Sequence, residues 1–566
     1  MSMRVKPTDV VIVGMGGTGA IAAMALTEAG LDVVGLEAGP WRSTAEFGMD
    51  EIRNDVRNAM GPKFNAELPT SRATARDAAV QVPGVGMVNA VGGTTVHYTA
   101  FSWRMMEWNF RARTETIRRY GRAATGDADG YELRDWAVDY HDLEDYYDRV
   151  EYLLGVSGRA ANVRGQQRDP LGNPFEAERR RGYPLPPLRS YGFGERCAAA
   201  ARSLGWHPFR GPAAIHSEDF QGVAGSACQY CGFCGNNGCH TNAKAGTFLN
   251  AVPRAQATGN LTLRTGVRVT RVETDRDGRA TGVTYVQDGM EHFQPAAMVI
   301  LAAYIYENVR LLLLSTSKAF PRGLANNHDQ VGRGYMSHGY LNVNGVFGER
   351  VNLFGPTGQY IWLDDWDSDN FDHTGLGFVG GGGMYSLNEV KPIGASRTLP
   401  PNVPGWGAEY KRWLARNAMS VGGMFVMVED VAHADNRLDL DPSVKDATGV
   451  PVLRITFEPK DQEKRRLAFL ERKARALVQE MGGESLWSSF FFPAINGHAY
   501  GGARMGEDPE TSVADGYGIT HEVPNLAVLG GALMPTSAGR NPTQTLQAMA
   551  WRTADHLVDT WSSRAA

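Results

Sequence analysis

The chain has 566 residues, 43% of them hydrophobic and 21% charged, with a formal net charge of −5. That is an ordinary globular balance: a chain of this length buries a large core without staples, and its mild acidity gives no case for nucleic acid as a partner. Glycine is abundant, at 67 residues, which suits tight turns and close backbone approach to a ligand.

No basic region or cleavage site precedes the first apolar run, so no signal peptide is expected. Residues 9–13 (DVVIV) predict a buried parallel strand. Gly14-Met15-Gly16-Gly17-Thr18-Gly19 follows, then an alanine-rich helix to about residue 29, then a second strand over 31–36 (LDVVGL) ending at Glu37. This βαβ unit carries the dinucleotide fingerprint. Its first glycine permits the turn, its second lets backbone approach a pyrophosphate, and Gly19 lets helix pack on strand. The phosphates then sit at a helix N-terminus, and Glu37 can accept a hydrogen bond from a ribose. The fingerprint alone does not separate FAD from NAD.

Later pieces return to the same sheet. Residues 261–272 alternate as a strand, and 282–287 pair with it. Residues 297–302 (AMVILA) form another buried strand, followed by a helix over 307–315. Residues 526–529 (LAVL) predict a strand before Gly530-Gly531, and a last helix runs from Thr543 to about residue 561. The apolar stretch 298–314 is broken by Glu307 and Arg310, so no membrane span is expected. The remaining regions are irregular and rich in aromatics, Gly and Pro, with strand-like alternation over 343–362 and 419–428. The expectation is an α/β fold: a Rossmann-like dinucleotide-binding domain (1–40, 85–105, 225–335 and 500–566) with an interleaved α+β, sheet-containing substrate-binding domain and cap segments (41–84, 106–224 and 336–499).

Four of the five cysteines, Cys228, Cys231, Cys234 and Cys239, fall in one short loop, 228–239. Thiolates this close are ligand chemistry for an iron–sulfur cluster or zinc, and Gly232, Gly235 and Gly238 relax the backbone between them. Four-thiolate zinc and two local disulfides are the alternatives to iron–sulfur. Cys197 lies in an alanine-rich helix and reads as core packing.

Several segments, in order, resemble the glucose–methanol–choline (GMC) oxidoreductases, which are FAD enzymes. The first strand pair continues as Leu36-Glu37-Ala38-Gly39-Pro40. Val91-Gly92-Gly93-Thr94-Thr95 resembles their second FAD loop, and residues 299–315 (VILAAYIYENVRLLLLS) their strand–helix return. Val331-Gly332-Arg333 with His338, then Asn496-Gly497-His498 through Gly506, then Gly530-Gly531-Ala532, then Asn541-Pro542-Thr543 complete the set. The chain departs from the family at Ala303-Tyr304-Ile305, where Ala-Gly-Ala is usual, and Thr543-Gln544-Thr545 is less glycine-rich than in many relatives.

The resemblance implies FAD as the dinucleotide, with Val267 among its contacts. It implies His498 as the base that takes the hydroxyl proton of an alcohol and Asn541 as its partner. Neutral histidine suits that task; the bland readings are a core histidine at 498 and a helix N-cap at 541. His97 stands where some sugar-oxidising relatives carry a covalent flavin and others keep a histidine beside free FAD. The cysteines resemble a subset of bacterial membrane-associated sugar and sugar-acid dehydrogenases, including glucoside 3-dehydrogenase and gluconate 2-dehydrogenase flavoprotein subunits. That subset implies a cluster of the 3Fe–4S type in preference to 4Fe–4S. It further implies electron exit to a cytochrome c, a small partner subunit bearing the export signal, and a place on the periplasmic face; without a partner the expected place is the cytoplasm. The substrate expected is a sugar, glycoside or sugar acid: a pyranoside oxidised at C3 first, gluconate at C2 second. A sugar oxidase with structural zinc is the competing reading. Tyr360, Trp362 and Trp366 are candidates for stacking on a sugar ring.

Overall fold

Two large sheets meet at a common cavity. The structure, a computed structural model, describes residues 3–57, 68–82, 88–165, 167–220, 227–351, 360–387 and 391–564. Strand Thr8–Val13 is buried over its last four residues and leads through Gly14 into helix Gly19–Glu28. The parallel strand Val33–Glu37, buried throughout, follows. The unit forms because unbroken apolar runs suit strands covered on both faces. The glycines are required by contact: a Cβ on Gly19 would lie 2.0 Å from the Gly14 carbonyl oxygen.

The eight-stranded sheet runs Arg268–Thr274, Ala280–Gln287, Met290–Leu301, Thr8–Val13, Val33–Glu37, Leu261–Thr265, and two short strands, Met3–Arg4 and Leu526–Val528, pair with Met290–Leu301 off this path. Met290–Leu301 is long enough to serve twice. Its first half pairs antiparallel with Ala280–Gln287, and its second half pairs parallel with Thr8–Val13 and with Leu526–Val528. The single strand expected over 261–272 is two strands, divided where Gly266 takes φ +68°. They lie at opposite ends of the sheet. The alternation continues through the turn, so periodicity does not register the break. The helices observed here are Tyr304–Leu314 and Thr543–Asp559.

The second sheet has six strands in antiparallel pairs, ordered Glu484–Phe491, Gly339–Val346, Val421–Val428, Gly382–Leu387, Ile361–Leu363, Phe209–Arg210. Side chains alternate across a strand, and here the two faces differ. Leu341, Val343, Ile361, Leu363, Met384, Met424, Val426 and Val428 pack on one side. Helices Gly192–Ser203 and Asp461–Glu480 cover that side through Phe193, Cys197, Leu470 and Leu477. Tyr340, Trp362, Tyr385, Phe425 and Met427 point the other way and join Phe101 and Trp103. A four-stranded sheet (Arg437–Lys445, Pro451–Thr456, Thr70–Arg72, Val80–Gln81) flanks this assembly. Among the described residues, no helix is long and apolar enough to cross a membrane.

Replacing Gly19 by Ala forces backbone apart at the turn. The expected cost is about 1–3 kcal/mol of stability, with loss of bound nucleotide. Urea melts and flavin content after purification check it; a Gly19→Ala protein matching the parent in both would show that the turn yields freely.

Candidate active site

A cavity of about 540 Å³ runs from the Gly14 turn to His498. At one end its wall is backbone. Gly14 takes φ +91°, and Gly16 and Gly93 face each other so closely that a Cβ on Gly93 would lie 2.9 Å from the Gly16 Cα. Gly17, Thr18 and Thr94 continue this wall, followed by Ala38, His97 and Val267. The Glu37 carboxylate accepts from Met15 N and Gly39 N, both at 2.9 Å. Burial pushes its pKa up to about 7, against the pull of those backbone donors. Each of its oxygens retains a lone pair for a ribose hydroxyl. The glycine-lined turn at a helix start and the acid at the strand end fit a dinucleotide.

Three residues expected to touch the cofactor stand behind the wall. Gly19 packs helix on strand. Gly92, at φ +90°, donates to the Met15 carbonyl and lies under Phe248. Ala532 is buried in the core and accepts from Ala503 N. They shape the site through the backbone.

At the other end stand His498, Asn541 and the cavity-lining Pro542 and Thr543. Asn496, 2% exposed, gathers this corner. Its Oδ1 accepts from the Tyr340 hydroxyl (2.6 Å) and His498 N (3.0 Å). Its Nδ2 donates to Ser337 Oγ and the His338 carbonyl, both at 3.0 Å. Its backbone oxygen accepts from Tyr304 Oη at 2.7 Å, and its backbone N donates to Tyr306 Oη at 2.9 Å.

The hydrogen-bond chain sets the His498 tautomer. His338 Nε2 faces both the Tyr500 hydroxyl at 2.9 Å, which can donate or accept, and the Ala538 carbonyl, which can only accept; the carbonyl requires the hydrogen on Nε2. In neutral His338 the Nδ1 is then an acceptor, and His498 Nδ1 lies 3.1 Å from it. Tyr340 Oη, whose hydrogen goes to Asn496, is a second acceptor 3.3 Å from His498 Nδ1. His498 therefore carries its hydrogen on Nδ1 and a lone pair on Nε2, which faces Asn541 Nδ2 at 3.1 Å. Burial holds the His498 pKa down to about 4, and burial together with His498 holds His338 well below the ordinary imidazole range. Both rings are neutral near pH 7. Asn541 Oδ1 is buried with no protein partner, which suits a ligand donor.

An aromatic wall extends from this corner. Tyr340 lies 5.5 Å from Phe425 and 5.0 Å from Phe491, and Phe425 lies 4.9 Å from Tyr385. Of the aromatics expected to meet substrate, Trp362 and Tyr360 are buried beside Tyr385, and Trp366 packs with Trp206 and Phe469. None of these three lines the cavity. The sheet's lining aromatics, Tyr340, Tyr385, Phe425 and Phe491, come from four separate strands; Trp362 shares their face but is covered by Phe101, Trp103 and Tyr385. Tyr304 does line it, at φ +71°. The family's usual glycine there has its reason in that backbone angle, which costs an L-residue roughly 1–2 kcal/mol. The Tyr304 hydroxyl bond to Asn496 offsets it.

The cysteine loop differs from its expectation. Gly235 and Asn236 reach the cavity wall. Among the described residues, however, no group of three or more His, Cys, Asp or Glu side chains is gathered to hold a metal ion. None of the five cysteines is in a disulfide. Cys228 and Cys234 pack with Ala100, Val150 and Ala245. Cys239 Sγ accepts from Lys244 N at 3.5 Å and lies 3.4 Å from Thr241 Oγ1. The loop is shaped instead by the buried Lys244 ammonium, which donates to the carbonyls of Tyr98, Cys234 and Asn237 at 2.6, 2.7 and 2.6 Å. An iron–sulfur cluster or four-thiolate zinc is therefore not supported by the described residues. Cys197 is core: burial pushes its thiol up to about 12.

A dinucleotide cradle ending at a neutral histidine is the arrangement of a dinucleotide-dependent oxidoreductase site. Family models described as GMC oxidoreductase match residues 195–339 and 432–550. The gluconate 2-dehydrogenase flavoprotein of Pantoea cypripedii is 33% identical over 97% of this chain and 93% of its own length. The fructose dehydrogenase large subunit of Gluconobacter japonicus is 27% identical over 99% of each chain. The crystal structure of pyridoxine 4-oxidase from Mesorbium loti shares the fold, with a TM-score of 0.60 at 15% identity over 97% of this chain and 99% of its own. The chain belongs to the GMC oxidoreductase family and is an FAD-dependent oxidoreductase acting on CH–OH groups.

Glu37 gives a pH test. Its folded pKa of about 7 lies above its ordinary 4.5, so the folded apoprotein holds a proton that the unfolded chain releases. Its contribution to stability is full below pH 4.5 and is lost as pH rises to about 7. In Glu37→Gln apoprotein the fall in melting temperature across that window should be shallower. Parallel curves for the two proteins would refute the assignment.

Proposed function

We propose that the protein is a dehydrogenase that oxidises a secondary ring alcohol of an uncharged sugar or glycoside, with His498 as the base. One arrangement carries this reading: the His498 Nε2 lone pair and the Asn541 amide stand together at the end of the dinucleotide cavity, against the aromatic wall. Bound FAD supplies the hydride acceptor. His498 Nε2 takes the hydroxyl proton as the carbon loses hydride and the C=O bond forms. For this the alcohol must replace Asn541 Nδ2 as the donor facing Nε2, and the freed amide hydrogen then holds the alcohol oxygen. His338 and Tyr340 keep the Nδ1 hydrogen in place, so Nε2 is the basic atom from the outset.

The wall supports a neutral substrate. Among the described lining residues the charged ones are Glu37, Arg268 and Glu307, all on the dinucleotide-sheet side. Tyr340, Tyr385, Phe425 and Phe491 offer ring faces to a pyranose and no cation to a carboxylate. This favours a pyranoside, with C3 the first position to test, over gluconate. Both curated relatives above are named dehydrogenases and one a large subunit, which supports an acceptor other than oxygen, such as a cytochrome c, and a partner subunit. The cysteine thiols have no step in this reading.

Two measurements test it. His498→Ala should lower dye-linked turnover about 100-fold or more while retaining FAD; full turnover would remove His498 from the chemistry. With the parent enzyme, kcat/KM for methyl glucosides should exceed that for gluconate at least tenfold, and equal or higher gluconate activity would overturn the neutral-substrate reading.

A further inference from the structure

Asn541 is held at the end of a short strap, residues 537–541, gripped at successive positions by Gly383 and by residues that flank strands of the six-stranded sheet. Ser537 Oγ accepts from Asp430 N at 2.9 Å and donates to the Asp430 carbonyl at 2.7 Å. The Ala538 carbonyl accepts from His338. Gly539 N donates to Glu429 Oε1 at 3.1 Å, and the Gly539 carbonyl accepts from Gly383 N at 3.1 Å. A Cβ on Gly539 would lie 2.1 Å from Asp367 Oδ1, so the strap has no sideways room there.

Arg540 makes the strongest of these bonds. Its Nη2 donates to Asp364 Oδ2 at 2.8 Å and Asp367 Oδ2 at 2.7 Å, and its Nε donates to Asp367 Oδ2 at 3.2 Å. Its Nη1 donates to the Arg104 carbonyl at 3.1 Å, and the guanidinium lies 5.4 Å from the Trp103 ring. The side chain is 4% exposed, and its carboxylate partners 1% and 0%. Asp364 is fixed in turn by Asn173 Nδ2 at 2.6 Å, and Ser368 Oγ joins Glu429 at 3.1 Å. Charges this deep are costly to unpair, so the guanidinium fixes the backbone one residue before Asn541. It does not line the cavity.

We propose that Arg540 is a positioning residue for the reaction: its buried fork onto Asp364 and Asp367 fixes the strap so that the Asn541 amide stays against His498. Lysine would keep the charge and lose the planar fork. This inference rests on the His498–Asn541 reading, and the experiment separates the two. The FAD-loaded full chain is measured as parent, Arg540→Lys, Asn541→Ala and the double variant, with turnover expressed per bound flavin. Asn541→Ala alone tests the reading: unchanged turnover there would sink the pair itself.

If the pair stands, Arg540→Lys should lower kcat about 10- to 100-fold, the scale of a misplaced catalytic group, with KM within threefold. In the Asn541→Ala background the same change should cost less than twofold, because Arg540 acts through Asn541. Asp367→Asn keeps the shape and weakens the same fork, so it should repeat the kcat loss and its suppression by Asn541→Ala if Arg540→Lys does not fold. Equal losses in both backgrounds, or a lowered melting temperature with turnover per flavin unchanged, would overturn the proposal.

Discussion

The site depends on one buried amide. Asn496 binds the dinucleotide side through Tyr304 and Tyr306 and the antiparallel sheet through Ser337, His338 and Tyr340, and its own Oδ1 holds the His498 backbone. A hydrogen bond of this kind is worth only about 1 kcal/mol net. A buried amide with every partner supplied is nevertheless costly to reorganise. That cost fixes the angle at which the His498 ring enters the cavity. The tautomer argument depends on that angle, since the Nδ1 contacts to His338 and Tyr340 exist only for one ring orientation.

Much of the dinucleotide end was legible in the sequence. Unbroken apolar runs, a glycine turn and a terminal acid are local signals, and each residue in them acts on a near neighbour. The catalytic corner was legible only through resemblance: nothing local to His498 says that its ring meets Asn541. The aromatic wall was not legible at all. Tyr340, Tyr385, Phe425 and Phe491 are far apart in the chain; strand parity puts Trp362 on the same face, and only the packing of Phe101, Trp103 and Tyr385 over it keeps it out of the cavity. The strand break at Gly266 was missed because period-2 alternation survives a two-residue turn.

The cysteine loop shows a different limit. Spacing fixes how far apart four thiols can be along the chain, and three glycines make the loop pliable. Spacing does not fix where the sulfurs point. Here the Lys244 ammonium gathers carbonyls, left-handed residues Tyr230 and Asn236 turn the chain between cysteines, and Cys228 and Cys234 pack into one apolar cluster while Cys239 meets Lys244 N and Thr241. Backbone hydrogen bonds, set by one lysine, decided the loop's shape.

The six-stranded sheet divides its residues by parity between two tasks. Leu341, Met424 and Val426 hold two helices; Tyr340 and Phe425, their immediate neighbours in sequence, face the cavity. A change at Phe425 or Tyr385 alters the cavity without touching the helix layer. A lineage carrying this sheet can therefore vary what it binds one residue at a time while its scaffold stays constant, which makes the ligand face an evolvable surface built on an inherited one.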